Sequence, residues 1–388
     1  MNIKPWTKGL AAAGLISIGS LAQAEEAPSA VITKLSSTRL GGYVDTSFNW
    51  MTGRNGHTPA KGGAAIPGRS FDGASKQNGF NFNVAKLSLS KPLDESEWAA
   101  GYQLDLWIGP DANTLGTAST LSTGSSDFAV KQAYVAMRAP IGNGIDFKMG
   151  VFDTIIGYEV PDSPNNPNYS RSYAWGLEPV QHTGLLATYQ ITDMIGIAAG
   201  IANTADSPIN ARAARNVAGP TSATDWEKTY MGALTIELPE DWFLGGTAIY
   251  TGVVDGLAST GDPTGISPAF SSVGDTTWLY VGATTPLTDA ITLGGAFDYR
   301  FGEAWQPGAT SRTGVYAWAA SGYVSWEATD RLTLHGRGEI ATATAGTFGV
   351  KPVGGGNNEQ FLGITGTVDY KLWNNVITRA EVRWDRDV

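Results

Sequence analysis

Three histidines, His57, His182 and His335, are the only imidazoles in the 388-residue chain, which has no cysteine. Disulfides, thiolate metal sites and thiol catalysis are therefore excluded. No H-E-x-x-H, Walker-type or G-x-S-x-G pattern occurs. A hydrolase would have to pair His182 or His335 with a serine, and the two histidines fall on different strand-like segments. The neighbouring carboxylates Asp94 and Glu95 sit in a turn and read as solvated. Asn168-Tyr169-Ser170 is a sequon by type, a short match of little weight. No metal and no cofactor is expected, and the chain is not read as an enzyme. The residues able to act on a solute gather between Gly157 and Gly176. Glu159, Asp162 and Arg171 supply charge there, and Tyr169, Tyr173 and Trp175 supply aromatic faces, among Pro161, Pro164 and Pro167. Proline removes a ladder donor, so this stretch is not a mid-sheet strand. Its aromatics point to a folded loop held by its flanks.

Those flanks are strands. Segments of about ten to fourteen residues alternate apolar with polar or small residues, the pattern of a membrane-spanning barrel. Within Trp98–Ile108, Ala100, Tyr102, Leu104 and Leu106 share one face, while Gln103, Asp105 and Trp107 share the other. Gly79–Leu93 changes phase near Val84-Ala85, as a bulge would make it do. Fifteen such segments fit between Arg39 and Asp385. Connections after odd segments are long, and those after even segments are expected to hold about two to five residues. That asymmetry favours an all-β, antiparallel up-and-down transmembrane β-barrel over a secreted propeller or sandwich. A chain that enters and leaves on one side needs an even strand number. Sixteen are therefore expected, with the last lying beyond Arg386-Asp387-Val388. Trp98, Trp242, Trp326 and Trp373 stand at the short-turn ends, where aromatics would ring the membrane interface.

Bulk properties agree. Charged residues are 16% of the chain, against about 25% in soluble domains. Outside the N-terminus no run is long and apolar enough for a membrane helix. The net charge of −10 argues against a nucleic-acid partner. Residues 1–24 have the three parts of a secretory signal: Lys4 and Lys8, an apolar Gly9–Leu21 core, and Ala22-Gln23-Ala24 for cleavage. Residues 25–38 read as a periplasmic leader and 39–388 as the barrel domain. That leader is too short for the plug of a TonB-type transporter.

Lys131-Gln132-Ala133-Tyr134-Val135, Gly142 to Gly150, and Asn165 through Gln181-His182-Thr183-Gly184 resemble the OmpL-like beta-barrel porin-2 family of Gram-negative outer membranes. The resemblance covers about Gly41 to Asp385 and implies an outer-membrane porin. It implies passive diffusion of small hydrophilic solutes or ions, with lipids as surroundings and a homotrimer as the assembly. In porin architecture the third long loop folds inward, which would make loop 156–178 the constriction. Glu159, Asp162, Tyr169, Arg171 and Tyr173 are then the loop candidates. Asp146, Lys148, Asp298, Arg300, His335, Arg337, Glu339, Arg379, Glu381 and Arg383, on the polar strand faces, are the wall candidates. A saturable sugar-type channel using Tyr169, Tyr173 and Trp175 is the alternative, with a plugged structural barrel or an outer-membrane hydrolase behind it.

Overall fold

The structure is a computed structural model that describes residues 38–50, 78–94, 96–115, 127–215, 222–224, 226–259, 275–305, 312–345 and 358–388. The signal segment, the leader up to residue 37 and His57 lie outside the described residues. In chain order the strands are β1 (Arg39–Asn49), β2 (Gly79–Lys91), β3 (Ala100–Ile108), β4 (Phe128–Ala139), β5 (Ile145–Asp153), β6 (Gln181–Gln190) and β7 (Ile195–Ala202). Next come β8 (Ala213–Arg215), β9 (Ser222–Thr224), β10 (Thr229–Glu237), β11 (Ala248–Leu257), β12 (Asp275–Pro286) and β13 (Ile291–Trp305). The last are β14 (Arg312–Glu327), β15 (Leu332–Ala343), β16 (Glu359–Trp373) and β17 (Val376–Asp387). Fifteen of them form one sheet in which every neighbour is a chain neighbour, once the small β8–β9 hairpin inside a long loop is set aside. Each pairing along the sheet is antiparallel.

The strands alternate as their sequences dictate. On β16, Leu362, Ile364 and Val368 are exposed, while Thr365 and Thr367 between them are buried. On β17, Val382 and Trp384 face out between Glu381, Arg383 and Asp385. On β13, Leu293, Phe297 and Phe301 face out, and Asp298 and Arg300 face in. A sheet with apolar side chains outside and ions inside suits a lipid exterior and an aqueous interior.

The short turns repeat one chemistry. Thr192, Thr288 and Thr329 each accept, on the hydroxyl, the amides two and three residues ahead, at 3.0–3.3 Å. This serves amides that the tight turn takes out of the ladder. Two connections exceed the expected two to five residues. β3 starts at Ala100 rather than Trp98, because Pro92 has no donor and Asp94 draws the chain into a local turn by accepting the Ser96 amide. β11 starts at Ala248 rather than Trp242. The bonds Trp242 N–H to Pro239 O (3.1 Å) and Gly245 N–H to Trp242 O (2.9 Å) form a compact turn over 238–247 instead. Trp98 and Trp242 thus belong to turns, not strands, whereas Trp326 and Trp373 are on β14 and β16. All four are exposed at the short-turn end.

Candidate functional site

The long connection between β5 and β6 is folded and turns into the interior. Its base is closed by the Thr154 amide donating to Val180 O at 3.0 Å. The Asn166 amide group accepts from Val160 N–H (2.8 Å) and donates to Val160 O (2.7 Å), a staple across the loop. Arg171 donates to Tyr169 O (2.6 Å) and to Pro161 O. Ile155 and Ile156 pack with Phe152 among buried side chains of β6 to β14, including Leu186, Met231, Tyr250, Trp278 and Tyr280. Tyr158 stacks on Tyr323 with centroids 4.2 Å apart. The indole of Trp278 donates to Leu177 O at 2.8 Å.

On the β14–β17 side the wall supplies the clamps. Arg337 donates to Glu159 (2.7 Å), Glu339 (3.0 Å), Ser170 O (2.6 Å), the Ser170 hydroxyl (3.2 Å), Arg171 O (3.3 Å) and Thr365 (3.2 Å). Glu159 also accepts the Ser172 amide (2.7 Å) and the Tyr323 hydroxyl (3.2 Å). Glu339 accepts the Tyr173 amide at 2.6 Å, and the Tyr173 hydroxyl donates to Asp385 at 2.8 Å. Glu381 accepts the amides of Tyr169 (2.6 Å) and Ser170 (3.0 Å). Arg379 donates to Ser163 O (2.7 Å) and Asn166 O (2.9 Å), and Arg383 donates to Arg171 O. A guanidinium fork is suited to several oxygens at once, which explains arginine rather than lysine at these wall positions.

On the β1–β4 side two bulges do the same work. The β1–β2 ladder pairs Asp45 with Val84 and Thr46 with Phe82, which leaves Asn83 as an extra residue. The β3–β4 ladder pairs Asp105 with Gln132 and Leu106 with Val130, which leaves Lys131 extra. Because strand side chains alternate, an extra residue places two successive side chains on the same face. Asn83 and Val84 are therefore both buried inside. Asn83 donates to the Tyr169 hydroxyl (2.7 Å) and to Asp45 (2.9 Å). Lys131 is 1% exposed, with its ammonium 2.6 Å from Asp153 and 3.1 Å from Asp162. Lys86 adds a second ammonium 2.9 Å from Asp162, and the Tyr43 hydroxyl donates to Asp162 at 3.1 Å. Burial opposes ionisation of Asp162, but Lys131 and Lys86 outweigh it and hold the carboxyl well below the usual carboxylate range.

The loop candidates Glu159, Asp162, Arg171 and Tyr173 are all buried against the wall or the loop itself, and Tyr169 is half-buried. Pro164 and Asn165 are the loop's exposed residues. Among the wall candidates, Arg337, Glu339, Arg379, Glu381 and Arg383 meet the loop. Asp298 shares a hydrogen bond with Glu178 at the loop's end. Two carboxyls in contact need a proton between them. Burial first, and then Asp298 and Glu159, push the Glu178 carboxyl well above its ordinary range. Asp146 is instead paired with Arg138 at 2.6 and 2.7 Å, Lys148 lies over the Tyr134 ring, and Arg300 lies over Trp278.

His335 bonds Ser325 (2.8 Å) through Nδ1, while its Nε2 is 3.5 Å from Asp369. The residue types are those of a hydrolytic triad, but Arg379 takes Asp369 at 2.9 Å, and the ladders through β14–β16 run unbroken here. No backbone donors are left there for an oxyanion. His182 contacts Thr154 at 3.2 Å. No group of three or more His, Asp or Glu suited to a metal occurs among the described residues.

Sequence reasoning missed Tyr43, Asn83, Lys86, Lys131, Asp153, Glu178, Tyr323 and Asp385. The phase change in β2 was a signal for Asn83; the comparable change in β4, between Val130 and Ala133, was readable for Lys131.

The family model described as "Putative beta-barrel porin-2, OmpL-like" matches residues 37–388. The chain belongs to this family. Porin channel function in the bacterial outer membrane follows from that membership. Among solved structures, the anion-selective porin from Comamonas acidovorans is similar over 90% of this chain and 89% of its own, at 11% identity and a TM-score of 0.55. That likeness shows the fold. OmpT of Vibrio cholerae, expressed in the outer membrane, aligns over 78% of this chain and 79% of its own, at 11% identity and a TM-score of 0.49. No curated protein matches the sequence.

Proposed function

We propose that this porin passes small hydrophilic solutes or ions by passive diffusion, with loop 156–178 as its constriction. One observation carries the reading: a single loop is bonded to β1–β2 and β4 through Tyr43, Asn83, Lys86 and Lys131, and to β14–β17 through Tyr323, Arg337, Arg379 and Arg383. Such a loop crosses the interior, where anything passing must go around it. The loop's carboxylates are used to fix it, and its exposed tip, Pro164–Asn165, is neutral. Of the wall candidates, Arg337, Glu339, Arg379, Glu381 and Arg383 act as its mounts. Trp98, Trp242, Trp326 and Trp373 mark the periplasmic interface, and cleavage near Ala24 releases the mature chain. An enzymatic role finds no support in the His335 arrangement, and a homotrimer is taken from porin architecture alone.

The test is single-channel conductance of the mature full-length protein in a planar bilayer, with and without sugars. Steady ohmic steps support diffusion. Current that sugars block in a saturable way would favour the sugar-type alternative, with Tyr169 the half-buried aromatic of its set. A folded, heat-modifiable barrel with no conductance would overturn the porin mechanism proposed here.

A further inference from the structure

Lys131 is in an unusual position for a lysine on a strand of this sheet. Val135 and Met137 face out on β4, and carrying that phase back through Ala133 would put Lys131 on the lipid face. The bulge turns it inward beside Gln132, whose side chain bonds Asp105 at 3.1 Å. From there one ammonium meets two carboxylates of different origin: Asp153 at the end of β5 and Asp162 in the loop. The groups around it are Asp105, Lys86, Tyr43 and Tyr134. Asp105, Asp153 and Asp162 thus share the ammonium groups of Lys86 and Lys131, with Lys148, Asp45 and Arg171 also close to the cluster.

We propose that Lys131 is the selectivity-setting residue of this pore. It cancels the charge on the loop limb that leaves β5, and it fixes that limb against the wall of β4. The assignment deepens the constriction reading and rests on it. Without the Lys131 ammonium, Asp153 loses its 2.6 Å ion pair and Asp162 keeps only Lys86, so the β5 side of the constriction gains one net negative charge and the local field turns cationophilic. Shape alone cannot substitute, because the lysine stem only delivers the charge.

The experiment measures reversal potential under a salt gradient in planar bilayers, on the full-length protein and its variants. Lys131→Met should move the reversal potential toward the cation equilibrium value. Lys131→Arg should stay near wild type. Adding Asp153→Asn to the Met variant restores the local net charge and should return the potential toward wild type, which a merely structural lysine would not do. A folded Met variant with an unchanged reversal potential would overturn the proposal. If the Met variant yields no folded barrel, Asp153→Asn decides: a shift toward anions supports the assignment, and no shift overturns it. The constriction itself is tested apart from Lys131. The chain has no cysteine, so Asn165→Cys carries a unique thiol at the exposed loop tip. Its modification by a charged methanethiosulfonate should reduce conductance if the loop lines the pore. Modification without effect sinks the constriction reading; an effect there, with a silent Lys131→Met, sinks only the lysine's role.

Discussion

Arg337 holds more of the loop than any other side chain described. Its guanidinium satisfies two buried carboxylates, two loop carbonyls and two hydroxyls. Replacing it by methionine would leave Glu159 and Glu339 buried, with Glu159 lacking a cation and Glu339 keeping only Arg383 at 3.5 Å. Removing one partner of a buried ion pair costs about 3–5 kcal/mol. Arg337→Met should therefore lower the temperature at which the folded band is lost on semi-native gels, and Arg337→Lys should restore little, because an ammonium cannot span the fork. Glu178 gives a pH prediction. Its proton affinity in the folded protein is raised by burial and by Asp298. The attachment it provides is complete below the ordinary carboxylate range and is lost as pH rises toward the folded value. Thermal stability should fall with rising pH in wild type, and Glu178→Gln should flatten that dependence; a wild-type slope equal to the variant's would count against the shared proton. At this scale the sequence was legible for residue type and not for partner. Glu159, Arg171 and Arg337 could be picked out as charged groups. That Glu159 and Arg337 spend their charge on each other is a consequence of a loop and a strand 178 residues apart meeting in space, and the Arg171 guanidinium goes instead to the loop's own carbonyls.

The strands were the legible elements, because alternation with period two is written along each of them and needs no partner to be read. Trp98–Ile108 shows this: Asp105 and Trp107 are buried and Ile108 is exposed, as their spacing requires. Turns were less legible. Thr192-Asp193 and Thr329-Asp330 have a local side-chain mechanism, so they could be placed. The Pro239–Gly246 turn depends on how far Leu238 and Thr247 continue to pair, which is a property of the ladder and not of the dipeptides. The third long connection was recognised as exceptional from its prolines, but its seating depends on bulges in β2 and β4. Deleting residues 161–170 should raise single-channel conductance while leaving the fifteen-strand sheet intact, as judged by heat-modifiable mobility. An unchanged conductance in a folded deletion variant would place the loop outside the solute path.

For the whole molecule the decisive division is between outside and inside. Ile364 is exposed on β16, and Thr365 beside it is buried. Arginine in place of Ile364 should cost about 2–4 kcal/mol if that position lies near the membrane midplane. Denaturant unfolding from liposomes would measure it. A cost near zero would mean that this face is not in lipid.

The clamp also bears on the order of events during assembly. Arg379 and Ser163 are separated by 216 positions in the chain, and Tyr173 and Asp385 by 212. Contacts this distant form late, because a long stretch of chain must be ordered before they can reward it. Until β17 arrives, the loop's amides at Tyr169 and Ser170 lack the carboxylate that receives them. The seated loop is thus a sign that the last described strand has joined the sheet. An intermediate stalled before that point would carry a loose, protease-accessible segment at its centre, so cleavage within 160–172 would report incomplete barrels and spare finished ones.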